Sequence, residues 1–269
     1  MTETIILTLV AFATSILSAV IGMGGGVTLL GIMAILIPEG YMVVALHGVI
    51  QLVGNSTRTA VYRQHVHRSI IRQFSMGVIP GLCCAALIVF GLIQYFDITS
   101  ASEFKIDFLK PLIGIYILWF LYLRKKTKLR SDSLFFWMGG LSGLVTVFIG
   151  ASGPLIAPFF IDRGLTKENM IATKAACQAV GHLGKMPIFI IFFGVDYLQQ
   201  WPVLLPLVVA VYLGTRIGKK LLGSLSPDLF KKLFKIALTL IAVRLVICLL
   251  YTSDAADEGL GVDLGGRRI

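Results

Sequence analysis

Eight polar residues recur at one spacing inside otherwise apolar stretches of this 269-residue chain. His47, Gln51, Asn55 and Arg58 follow one another by four, four and three positions, and Lys174, Gln178, His182 and Lys185 repeat that spacing 127 residues later. At 3.6 residues per turn, such a spacing puts each set on a single narrow face of a helix. Eleven steps rise about 16 Å, roughly half the thickness of a hydrocarbon core. Polar and ionisable groups are costly inside a membrane segment, so they face a bundle interior, a pathway or a site. The amides of Gln51, Asn55 and Gln178 donate and accept, Arg58, Lys174 and Lys185 bring charge, and neither face carries an acid. A cation path calls for carboxylates or carbonyls, so the inventory favours an anion. An imidazole in water titrates near neutral pH, which makes His47 and His182 the candidates for a coupled proton.

Two small-residue runs complete the chemistry: VIGMGGG at 20–26 and FIGASGP at 148–154. A helix that begins at such a run turns free N–H groups and a positive dipole end toward a negative oxygen. Gly24, Gly25, Gly26 and Gly153 are the expected backbone donors. Gln51, Asn55, Arg58, Gln178, His182 and Lys185 are expected to line the path. Each has a structural alternative: close helix packing for the glycines, inter-helix hydrogen bonds for the glutamines, snorkelling for Arg58 and Lys185, and a satisfied core position for the histidines.

These faces must sit on helices. Apolar residues make up 57% of the chain, charged ones only 14%, and mean hydropathy is +0.87. A soluble domain of this size needs a charged skin, so the composition predicts a lipid-facing surface. Apolar segments lie near 5–37, 41–62, 74–95, 108–123, 133–161, 168–193, 200–222 and 232–250. Backbone groups in lipid must be satisfied internally, which makes these segments helical. The first and fifth are too long for one span, and both are interrupted at the glycine runs. The expected fold is therefore all-α: a polytopic membrane protein of about eight hydrophobic segments in two repeats, with helices broken at the Gly-rich motifs. The repeats are assigned to 1–124 and 133–250, joined by a basic cytoplasmic linker at 125–132.

Loop charge predicts that the repeats are inverted. Arg58, Arg63, Arg68 and Arg72 follow the second segment, whereas the matching stretch 194–200 carries only Asp196. The bias then reverses, with Asp97, Glu103 and Asp107 against Lys105 in 96–107, and Arg216, Lys219, Lys220, Lys231 and Lys232 in 216–232. Basic loops stay cytoplasmic, so corresponding loops lie on opposite sides. Four segments per half give the wrong parity for inversion, and a helix hairpin at each broken segment would correct it.

The remaining features exclude more than they assign. The net charge of +10 sits in short clusters between apolar runs, as topology-setting loops do, so nucleic acid is not expected as a partner. Cys83, Cys84, Cys177 and Cys248 lack metal-ligand spacing and read as buried free thiols. No Ser–His–Asp set, HExxH motif or paired intramembrane carboxylates point to an enzyme, and no cofactor is called for. Glu3, with no base before the first apolar run, predicts a retained first helix rather than a cleaved leader. Residues 251–269 are polar and Gly-rich, predict disorder, and contain YTSDAADE, a string like translated adapter read-through; they are read as foreign to the native chain. An anion channel or a metal-ion transporter is the alternative to a carrier.

With IGMGGG, QLVGN, QAVGH and the closing run LGTRIGKKLLGSLSPDLFKKLFKIALTLIAVRLV, the sequence resembles the TauE/SafE family of sulfite exporters over nearly its whole length to about residue 250. The resemblance implies a bacterial inner-membrane transporter of about eight segments, with sulfite, sulfonates and related sulfur-containing or organic anions as substrates; together with the polar faces, the expected function is a secondary transporter moving a small oxyanion by alternating access between the repeats. The second half departs from the pattern, with Ala151-Ser152-Gly153-Pro154 in place of a full glycine run.

Overall fold

The computed structural model describes residues 2–96, 109–123, 132–161, 163–222 and 226–259. Among them are ten α-helices: α1 (Thr2–Ile21), α2 (Gly25–Leu36), α3 (Gly40–Val61), α4 (Arg68–Phe96), α5 (Leu109–Leu118), α6 (Leu134–Ile149), α7 (Gly153–Ile161), α8 (Lys167–Phe193), α9 (Trp201–Leu222) and α10 (Pro227–Gly259). The described residues include no strand. The acidic stretch 97–107, most of the basic linker (125–131) and the tail 260–269 lie outside the described residues.

Both long apolar segments break where expected. The Gly22 N–H still bonds to Ser18 O at 2.9 Å, and the Gly150 N–H to Thr146 O at 3.1 Å. Each glycine then takes φ +84°, a left-handed conformation that ends a helix and disfavours any side chain. Helix α2 resumes with Thr28 N–H bonding to Gly24 O at 3.0 Å, and α7 with Ile156 N–H bonding to Ser152 O at 3.3 Å. Eight apolar segments thus become ten helices.

Helix α1 packs on α9, α6 on α4, α3 on α8 and α9, α8 also on α4, and α5 on α10. Backbone meets backbone in two of these seams. A Cβ on Gly143 of α6 would stand 2.6 Å from Val78 O of α4, and one on Gly218 of α9 would stand 2.8 Å from Ile16 O of α1. Such close crossings are how helices associate where lipid removes the hydrophobic drive between them. Gly81 and Gly214 also lie along these two seams. Inside, Phe74, Phe135, Phe160, Phe230 and Phe234 fill one core. Outside, the surface is apolar, with Leu9, Ile79, Leu87, Ile191 and Leu240 all well exposed. Helices α1, α4, α8 and α9 are long and apolar enough to cross a bilayer. The protein is a multi-pass membrane protein.

Two expectations change. Cys83 and Cys84 are exposed on α4 rather than buried; only Cys177 is interior, and the Cys248 side chain is outside the described residues. A thiol on a lipid-facing surface needs no polar partner, which explains its place among apolar residues. Helix α10 continues to Gly259, so 251–259 are helical where composition predicts disorder. Ala and Glu propagate a helix at little cost once α10 has nucleated it. His67, two residues after the exposed His65, is half-buried, and its backbone N–H bonds to Thr173 Oγ1 at 2.9 Å.

Candidate functional site

Helices α3 and α8 bring the two polar faces together. They cross antiparallel: His47 meets His182 with ring centres 5.9 Å apart, while His67, just past α3, bonds to Thr173 near the start of α8. Along this seam Lys185 lies against Gly48, where a Cβ would stand 2.6 Å from its Cε. A residue larger than glycine at position 48 would displace that lysine.

The helix breaks lie beside the same seam. Lys174 Nζ donates to Gly22 O at 2.8 Å, and Lys185 Nζ donates to Gly150 O at 3.1 Å. Both carbonyls stand at the C-terminal ends of half-helices, where the dipole is negative and a cation is favoured. His47 Nε2 bonds to Gly26 O at 2.8 Å, which makes Nε2 the protonated nitrogen. The Nδ1 atoms of His47 and His182 are buried and have no partner among the described residues. Each glutamine lies over the start of the second half-helix in its own half of the chain. A Cβ on Gly26 would meet Gln51 Oε1 at 3.0 Å, and one on Gly153 would meet Gln178 Nε2 at 2.5 Å.

Between the breaks is a cavity of about 30 Å³, room for one or two waters. It is lined by Gly24, Gly26, His47, Gln51, Arg58, Gly153, Lys174, Gln178 and His182, with Ser18, Met23, Val27, Ala151 and Pro154. Of the predicted site residues, Gly25, Asn55 and Lys185 are not on its wall. Gly25 is small because α2 folds back on α1, where a Cβ would meet Ser18 Oγ at 2.5 Å. Asn55 Oδ1 accepts from Arg58 Nη2 at 2.6 Å and so aims the guanidinium. Lys185 is the cap on Gly150. Sequence spacing placed all three on the right helices but could not tell a wall residue from one that supports a wall residue. Ser18, Met23 and Val27 carried no signal beyond adjacency to the glycine run.

The charge balance of this interior is unusual. Arg58, Lys174 and Lys185 are 5%, 2% and 0% exposed, so none snorkels to an interface. No carboxylate among the described residues pairs with any of them; the ion pairs there are Arg163–Asp132 and Lys167–Glu168. Burying one unpaired ion costs several kcal/mol even after relaxation. The carbonyls of Gly22, Gly150 and Gly54 offset part of that. An arriving anion would offset more. Neither glutamine amide hydrogen-bonds to another helix among the described residues, which leaves both free to turn toward a ligand. No three His, Cys, Asp or Glu side chains come together there as a metal site.

A family model described as Sulfite exporter TauE/SafE matches residues 7–245. No curated protein and no solved structure matches the chain.

Proposed function

Because the chain belongs to the TauE/SafE sulfite exporter family, a family of membrane transporters and not of enzymes, we propose that it is a secondary transporter of a small oxyanion, bound between the two helix breaks. The observation that carries this reading is the buried trio Arg58, Lys174 and Lys185, with no carboxylate partner among the described residues: Arg58 and Lys174 line a cavity that also meets the starts of α2 and α7, and Lys185 caps Gly150. The first turn of α2, whose Gly26 and Val27 line the same space, has N–H groups without intrahelical partners, and Gln51 and Gln178 supply amide donors from opposite sides. Sulfite, a sulfonate or a related sulfur-containing or organic anion fits this donor-rich, acid-free lining. His47 and His182, whose ring centres lie 5.9 Å apart, are the residues to which this reading gives a coupled proton.

At about 30 Å³ the cavity is too small for such an anion in this conformation. It thus corresponds to a closed state of a carrier that opens to each side in turn. Two sets of contacts support inverted repeats as the basis of that alternation. Gly22 and Gly150 share one left-handed conformation at aligned positions. Exchanging the halves also maps the packing onto itself: α1 on α9 becomes α6 on α4, while α3 on α8 and α5 on α10 map onto themselves. In such an arrangement the breaks converge near the midplane. Residues 1–124 and 133–250 are then the two repeats, set in the bacterial cytoplasmic membrane.

The test is a melting-temperature screen of the purified protein against sulfite, thiosulfate, a sulfonate, a carboxylate and phosphate. A bound anion raises the melting point by mass action, by about 2.7 kcal/mol of stability at one hundred times Kd. A flat response to all five contradicts the site. Counterflow of the stabilising anion in proteoliposomes separates a carrier, which shows it, from a channel, which does not.

A further inference from the structure

A second cavity, of about 410 Å³, opens beneath the basic turn that follows α3, between the starts of α8 and the end of α9. Its walls include Tyr62, Arg63, His65, Glu168 and Lys219. Tyr62 is only 5% exposed, and its hydroxyl is buried with no hydrogen-bond partner among the described residues. A buried hydroxyl without a partner is uncommon, because it forgoes the water it had in the unfolded chain. Lys219 Nζ donates to Val61 O at 2.9 Å and lies 5.5 Å from the centre of the Tyr62 ring. An ammonium has three donors, so Lys219 keeps capacity for a ligand. Arg63 is exposed at the cavity mouth.

This cavity adjoins the central one along α3. The Tyr62 N–H bonds to Arg58 O at 3.1 Å, one helical turn away, and Arg58 lines the central cavity. One turn is about 5.4 Å of rise. Tyr62 therefore lines the outer cavity one turn beyond Arg58, the last α3 residue on the central one. The aligned position in the second half, 127 residues on, is Phe189. Its ring is buried, lies 6.0 Å from Lys185 Nζ and stacks on Phe193 at 4.6 Å. That end is closed by aromatic packing where the Tyr62 end carries a hydroxyl and two bases.

We infer that the cavity under the basic turn is an outer oxyanion subsite on the route to the central site, with Tyr62 as both a ligand and the partition between them. The inference rests on the central cavity being an oxyanion site. Arg63 and Lys219 draw the anion in, and the Tyr62 hydroxyl donates to it. Movement of the Tyr62 ring then opens the step to Arg58. Glu168 holds the net charge of the subsite down, so that the anion is bound loosely enough to move on, as conduction through successive sites requires. A lipid headgroup presents the same oxyanion chemistry at this end of the helices, and the experiment separates the two sources.

The experiment measures sulfite transport in proteoliposomes of phosphatidylcholine alone, and again with phosphatidylglycerol added. Arg63→Gln, Lys219→Gln and Tyr62→Phe are each expected to raise the half-saturating sulfite concentration at least threefold, with the maximal rate within twofold of wild type, in both lipid mixtures. Tyr62→Phe keeps the ring, so its effect reads the hydroxyl rather than packing. Arg216→Gln, on α9 but outside the cavity, is the charge control and should behave as wild type. Wild-type half-saturation in all three variants overturns the outer subsite and leaves the central one standing. An effect seen only with phosphatidylglycerol assigns the cavity to a headgroup and likewise overturns the subsite. If the wild type carries no anion at all, the central reading itself fails.

Discussion

Replacing Gly153 by alanine separates binding from folding in a way that the structure specifies. The new Cβ would stand 2.5 Å from Gln178 Nε2 and 3.4 Å from its Cδ. Ordinary contact begins near 3.5 Å, so the amide must retreat by about 1 Å. It can do so, because the obstructing atom is the end of a flexible side chain. Gly153 has no positive φ, and alanine is the better helix former, by up to about 1 kcal/mol in a helix interior. Stability is therefore expected to hold or rise slightly. Anion binding is not, because the methyl group takes up much of a cavity of about 30 Å³ and turns Gln178 away from it. A displacement of about 1 Å at a positioning group costs as much as 100-fold. We expect a 10- to 100-fold loss of sulfite affinity, about 1.4 to 2.8 kcal/mol. The assay pairs melting temperature in detergent with sulfite uptake by proteoliposomes. Gly26→Ala should act in the same direction but more weakly, since its Cβ would be 3.0 Å from Gln51 Oε1. Gly91→Ala, with nothing within 4 Å, is the control. Unaltered uptake and unaltered protection by sulfite in Gly153→Ala would refute the placement of the anion at the start of α7.

Other outcomes follow from the same contacts. Lys174→Met removes a buried unpaired charge, so the empty protein should melt no lower than wild type while the stabilisation by sulfite disappears. Gly22→Ala should cost about 1–2 kcal/mol in unfolding measurements, because φ there is +84° and an added Cβ would also press on Ile171 at 3.1 Å. Accessibility labelling of single cysteines should place 97–107 and 219–232 on opposite sides of the membrane; finding both on one side would remove the inverted arrangement.

Much of the architecture is written locally in the sequence. Gly22 and Gly150 can end a helix in a left-handed turn because they lack a side chain, and that is visible in the residue type. The two polar faces are visible because helical period alone sets which residues share a face. What the sequence hides is the partner of each polar atom. Lys174 finds Gly22 O across 152 residues, and Lys219 finds Val61 O across 158. Nothing in local spacing encodes such pairs. For that reason Asn55 and Lys185 look like wall residues in sequence and prove to be supports for Arg58 and Gly150 in space. Gly25 misleads for a related reason: a glycine that binds an anion and one that admits a neighbouring helix look alike until the neighbour is known. The cavity at Tyr62 is hidden in the sequence because its contiguous stretch 60–65 is completed only by Glu168 of α8 and by Lys219 and Leu222 of α9, more than 100 residues away.

The account stands or falls on the two glutamines over the helix breaks. Sulfite uptake by proteoliposomes carrying Gln51→Ala together with Gln178→Ala measures this directly, with melting temperature as the check on folding. The account predicts a folded protein whose uptake falls to the level of empty vesicles. A folded double variant that transports sulfite at the wild-type rate would contradict it.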